Sequence, residues 1–219
     1  FLPEGQAYRG VSDGYVKMQE ILNPSTPPGF DFFLLRSGIK ILQHGYNQLK
    51  QAITEGQYDY PKGLFYGGAE LEEGPRLYLH WLRSHLVRAD HVTVIDVHTG
   101  LGPSGEDALL VDTPHHSDEF KRLTAAYGSR VAAWDPNESL AYQIHGGHPA
   151  GVTRTLDDSK VEFITQEFGT ISALKVLHAL REENRLHHWG EPSSWHTAKQ
   201  GLLDAFRPNT ETWRRQVLS

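Results

Sequence analysis

The segment Val92–His98, running into Thr99, Gly100, Leu101 and Gly102, constrains the fold more than any other part of the chain. It is an apolar strand, and strand side chains point to opposite faces in turn. Val94, Asp96 and His98 therefore share one face, while Ile95 and Val97 take the other. The strand delivers an imidazole, with a carboxylate beside it, to a turn whose glycines admit close approach of a backbone or a ligand. Open α/β sheets bind their ligands at such carboxyl ends.

The remaining segments alternate helices with strands. Helices are expected over residues 12–22, stopped by the Pro-rich loop 23–29, and over 31–55, where Leu34, Leu35, Ile39, Leu42, Tyr46, Leu49 and Ile53 recur at helical spacing. Lys62–Gly68 reads as a short strand or extended turn, followed by a helix over 70–87. A strand is expected at 108–112 and a helix at 118–127 capped by Gly128. Residues 132–151, rich in Gly, Pro, Asn and His, read as a loop long enough to be a lid. Lys160–Phe168 alternates as a strand, with Val161, Phe163, Thr165 and Glu167 on one face, and ends at Gly169. Helices over 171–189 and 194–206 and a last helical turn at 212–217 complete the chain. This order predicts an α/β fold: a mostly parallel mixed sheet flanked by helices on both faces, one domain across residues 1–219.

Composition removes several function classes. The net charge is −6, with no dense Lys/Arg cluster, so a nucleic-acid partner is not expected. No apolar run approaches the length of a membrane span, and the expected location is cytoplasmic. With no cysteine, disulfides, thiolate metal sites and cysteine nucleophiles are excluded, so any metal must be held by His, Asp or Glu.

Two strands end in a polar group beside glycine: His98 before Gly100, and Glu167 before Gly169. If they lie close in the sheet, one cleft holds an imidazole suited to zinc and a carboxylate able to take a proton from water and pass it to a leaving amine. Asp96 then accepts the other ring N–H of His98 and sets its tautomer. Each signal has a bland counterpart. A strand-borne His is often a satisfied core residue, and a terminal Glu is often a solvated strand end.

The runs Asp96-Val97-His98-Thr99-Gly100-Leu101-Gly102 and Ile164-Thr165-Gln166-Glu167-Phe168-Gly169-Thr170, with Gly63-Leu64-Phe65-Tyr66-Gly67-Gly68 upstream, resemble the DUF2817 proteins. These are relatives of zinc carboxypeptidases and of the succinylglutamate desuccinylase and aspartoacylase deacylases. The resemblance covers nearly the whole chain and implies a zinc-carboxypeptidase-like fold. It implies zinc held by an early His-x-x-Glu pair and by His98, with Glu167 as general base and a peptide or small acylated substrate whose amide bond is cut. Thr99 and Gly100 are candidate substrate contacts. No His-x-x-Glu in a suitable context precedes His98, and the family's Asn-Arg substrate motif would fall ahead of Phe1. The expectation is therefore that the chain is the C-terminal portion of a longer metallohydrolase-like domain, and that alone it binds zinc poorly and is inactive.

Other constellations are weaker. His145 and His148 in the glycine-rich loop are a candidate metal pair, Tyr142 a candidate oxyanion donor, and Arg154 a candidate carboxylate clamp. The tandem pairs His115-His116 and His187-His188 point apart on regular structure and are expected to face solvent. There is no Gly-x-Ser-x-Gly elbow, phosphate-binding loop or dinucleotide fingerprint. The alternative to an amide hydrolase is a non-catalytic α/β binding domain that keeps the scaffold without a complete metal site.

Overall fold

The computed structural model describes residues 10–44, 50, 55–133 and 147–218. Helix α1 (Asp13–Leu22) begins where the Ser12 hydroxyl accepts the Tyr15 N–H, a cap worth about 1 kcal/mol. Its inner face, Tyr15, Met18, Ile21 and Leu22, packs with Phe33 and Leu64 and against Leu174, Leu177 and Leu180 of a later helix. Helix α2 (Phe33–His44) corrects one expectation: it packs inward through Phe33 and Ser37, while Leu34, Leu35, Ile39 and Leu42 are exposed. The periodicity is present, but the described residues put no layer over that stripe. Tyr46, Leu49 and Ile53 lie outside the described residues.

After helix α3 (Glu73–Leu86) come strands β1 (His91–Gly100) and β2 (Asp107–Val111), helix α4 (Asp118–Tyr127) and strand β3 (Val131–Ala133). Helix α5 (His148–Thr155), strand β4 (Lys160–Gly169) and helices α6 (Ala173–Trp189), α7 (Trp195–Phe206) and α8 (Glu211–Leu218) follow. The sheet runs β1-β4-β2-β3. β1 pairs in parallel with β4, β2 in parallel with β3, and β2 antiparallel to β4. The fold is thus mixed α/β with a mostly parallel sheet.

On one face Val92, Val94, Val161 and Phe163 meet Leu82 of α3 and Val152 of α5, together with Leu156 just beyond α5. On the other, Leu109, Val111, Val131 and Ile164 meet Phe120 and Leu123 of α4. That second layer stops short of β1. Ile95 and Val97 are 57% and 63% exposed, so the expected burial of β1 on both faces is not what the described residues form. The expected loop 132–151 is also corrected at both ends, since β3 takes in Ala132 and Ala133 and α5 starts at His148. Residues 134–146 between them lie outside the described set.

Candidate active site

Parallel pairing places His91 opposite Lys160, and the register carries His98 opposite Glu167 at the carboxyl ends. Paired residues share a face, so one surface presents Asp96, His98 and Glu167 together. His98 Nε2 lies 3.0 Å from Asp96 Oδ2, and its Nδ1 lies 3.7 Å from Glu167 Oε2. The imidazole stands at the mouth with its side chain 46% exposed, and the Glu167 side chain lies behind it at 9%. A carboxylate lies on each side of the ring, Asp96 beside Nε2 and Glu167 beside Nδ1.

Glu167 is held by the glycine turn that the sequence singled out. Its Oε1 accepts the Leu101 N–H at 2.9 Å, and the Thr170 hydroxyl donates to the Gly100 carbonyl at 3.1 Å. Gly169 is the fixed point beneath. Its carbonyl accepts from the Trp213 indole and from the Gly105 N–H, and its own N–H donates to Glu106. A Cβ at Gly169 would come within 1.9 Å of the Pro103 carbonyl oxygen, which is why the strand must end in glycine. Gly100, at φ +146° and close to the Phe206 ring, is a second position that excludes a side chain.

Burial pushes the Glu167 carboxyl above its ordinary range, and nearby Asp96 pushes the same way. The Leu101 N–H, His98 and the Lys50 ammonium oppose this without cancelling it. Lys50 is itself pulled down by burial and held up by Glu167. A carboxyl raised above its ordinary range holds a proton more readily than a free one, as a group that accepts and returns a proton must.

The structure brings His98, Asp96 and Glu167 together, with Gly100 and His148 beside them, and sets Thr99 and Arg154 apart. Thr99, a candidate substrate contact, points to the opposite face of β1 from His98 by strand alternation. Arg154 lines a cavity of about 460 Å³ with Val111, Glu119 and Glu162, whose walls include none of Asp96, His98 and Glu167. Tyr142 and His145 lie outside the described residues. His148 belongs to the cluster in a different way from the metal pair expected of it: its Nδ1 is 2.8 Å from Asp96 Oδ2. Lys50 gave no signal in the sequence, being one polar residue in a helical stretch.

As a zinc ligand His98 fits one corner, with Nδ1 directed to the Glu167 side and Nε2 held by a carboxylate, as metal-binding imidazoles commonly are. Among the described residues, no group of three or more His, Asp or Glu is arranged to hold a metal ion.

Fold and site together define a mixed α/β domain with a carboxylate–imidazole cluster at the carboxyl ends of two parallel strands. The family described as "Protein of unknown function (DUF2817)" matches residues 7–219, and the chain belongs to it. No curated protein and no solved structure gives a match. No helix among the described residues is long and apolar enough to cross a membrane.

Proposed function

We propose that this chain carries the acid–base half of a zinc-dependent amide hydrolase, of carboxypeptidase or N-acyl amino acid deacylase type. The observation that carries the reading is the buried Glu167 carboxylate, anchored by the Leu101 N–H through one oxygen and facing His98 Nδ1 with the other. Its other support is the resemblance of the two strand motifs to zinc hydrolases. His98 would hold the ion with two further ligands from outside the described residues. Bound zinc would polarise the scissile carbonyl and acidify the attacking water.

The chain's own residues do the rest. Glu167 takes the proton of the attacking water as the oxygen bonds to the amide carbon, then returns it to the nitrogen as the C–N bond breaks. One water is consumed, and a carboxylic acid and an amine are released. Asp96 keeps His98 oriented throughout, and the Leu101 N–H keeps Oε1 from rotating into the cleft. A non-catalytic binding domain is the second reading, favoured by the absence of a three-ligand group among the described residues.

The test is a panel of N-acyl amino acids and short peptides offered to the zinc-loaded full-length protein and to its Glu167→Gln variant. Hydrolysis by the wild type and a kcat loss of about 10²- to 10⁴-fold in the variant, with zinc content unchanged, is expected. Unchanged kcat removes Glu167 from the mechanism. No zinc uptake and no turnover by the wild type leaves the binding-domain reading standing.

A further inference from the structure

Asp96 does not serve His98 alone. Its Oδ2 lies 3.0 Å from His98 Nε2 and is hydrogen-bonded to His148 Nδ1 at 2.8 Å, so one carboxylate oxygen is approached by a ring nitrogen from β1 and by another from α5. A carboxylate oxygen has two lone pairs, so the bond to His148 leaves one directed toward His98. Rotating the carboxylate would then break the His148 bond and end the close approach to His98 together. His148 is itself firmly seated. It is the first residue of α5, followed by Pro149, and its ring stands edge-on to Tyr78 and to Phe163, each with centroids 5.0 Å away. His98 is the opposite case, half-exposed and, among the described residues, with no ring contact that would by itself select one face of the imidazole.

We infer that His148 is a positioning residue that fixes the His98 tautomer through Asp96; the inference rests on the reading of His98 and Glu167 as the reacting pair. With Asp96 locked, the proton of neutral His98 sits on Nε2, and the unprotonated Nδ1 is presented toward Glu167. Without His148, the carboxylate swings, the ring follows, and both tautomers are populated. The consequence falls on the orientation of Nδ1, since His148 touches neither His98 nor Glu167 through any bond described above.

Long-range proton–nitrogen spectra of the imidazoles in the metal-free full-length protein at about pH 8, above the ordinary histidine pKa, read the tautomer directly. His148→Phe keeps an aromatic ring against Tyr78 and Phe163 but deletes the donor. His148→Asn places an amide N–H near the position of Nδ1, and His148→Gln places one near Nε2. Wild type and His148→Asn are expected to show His98 protonated at Nε2 only, with His148→Phe and His148→Gln showing averaged nitrogen shifts. A pure Nε2 tautomer for His98 in folded His148→Phe overturns the inference. If that variant does not fold, the same result in His148→Gln does so. In turnover, kcat should fall about tenfold or more in His148→Phe with KM unchanged, and recover in His148→Asn. A protein that never turns over, yet shows the tautomer change, loses the hydrolase reading and keeps the positioning role.

Discussion

Glu167 shows how a buried carboxyl weighs on the fold that holds it. Because burial raises its carboxyl in the folded protein, the native state binds the proton more tightly than the unfolded chain. The contribution to stability is therefore largest below the unfolded carboxylate pKa and declines as pH rises through the folded value. Glu167→Gln, which keeps an acceptor for the Leu101 N–H, should melt higher than wild type at about pH 7, with the gap closing toward about pH 4. Thermal melts across that range check it, and equal melting temperatures at both ends would remove the burial cost from the account. At this scale the site was partly legible. Strand alternation alone put Asp96 beside His98, and the motif put Glu167 at a strand end. His148 was legible only as a loop histidine and candidate metal ligand, and Lys50 not at all, because their contacts depend on segments that meet only in three dimensions.

Among the elements, α6 is tied to the N-terminal layer by charge as well as by packing. Arg181 and Arg185 are buried, and both reach Asp31 and Glu182. Arg181 also donates to the Ile21 carbonyl, and Arg185 to those of Thr26 and Pro27. Burial alone would raise the Asp31 carboxyl, but the two guanidiniums and the Phe33 N–H outweigh it and hold it below the ordinary value. The stability it adds is present above the unfolded carboxylate pKa and is lost as pH falls through the folded one. Asp31→Asn strands two buried cations with Glu182 as their remaining carboxylate, and about 3 kcal/mol of destabilisation is expected in urea at about pH 7. A loss that is the same at low pH would contradict the assignment. The α5 helix explains a misreading at this scale. Gly147 and Pro149 look like loop residues, yet glycine serves as its N-cap and proline suits a first turn, where its missing N–H costs nothing.

For the whole molecule, the sequence yielded β1, β2 and β4 to within two residues, but not the short β3, which it placed at the start of a loop, and neither the strand order nor the antiparallel step between β2 and β4. Period and composition mark a strand, whereas neighbours are chosen by packing among distant segments. The same blindness hid the open flank of β1, which ends the described sheet with Ile95 and Val97 uncovered beside it. An exposed apolar edge is a template for association, so concentration-dependent sedimentation is expected of the isolated chain. Val97→Lys should suppress it with little change in melting temperature, because the side chain is exposed already. Ideal monomer sedimentation of the wild type at all concentrations would show the edge to be inert.

The parallel pairing of β1 with β4 also sets when in the life of the chain the site comes into being. Leu101 and Glu167, which share the anchoring bond, are separated by 66 positions, and Asp96 and His148 by 52. Helices close early from local contacts, whereas such distant partners meet only after the cost of closing a long loop has been met. A nascent or refolding molecule therefore acquires most of its helices before any cleft exists. A slip of one residue between the two strands would turn His98 and Glu167 to opposite faces, so the cluster arrives with correct registration of the sheet and not before.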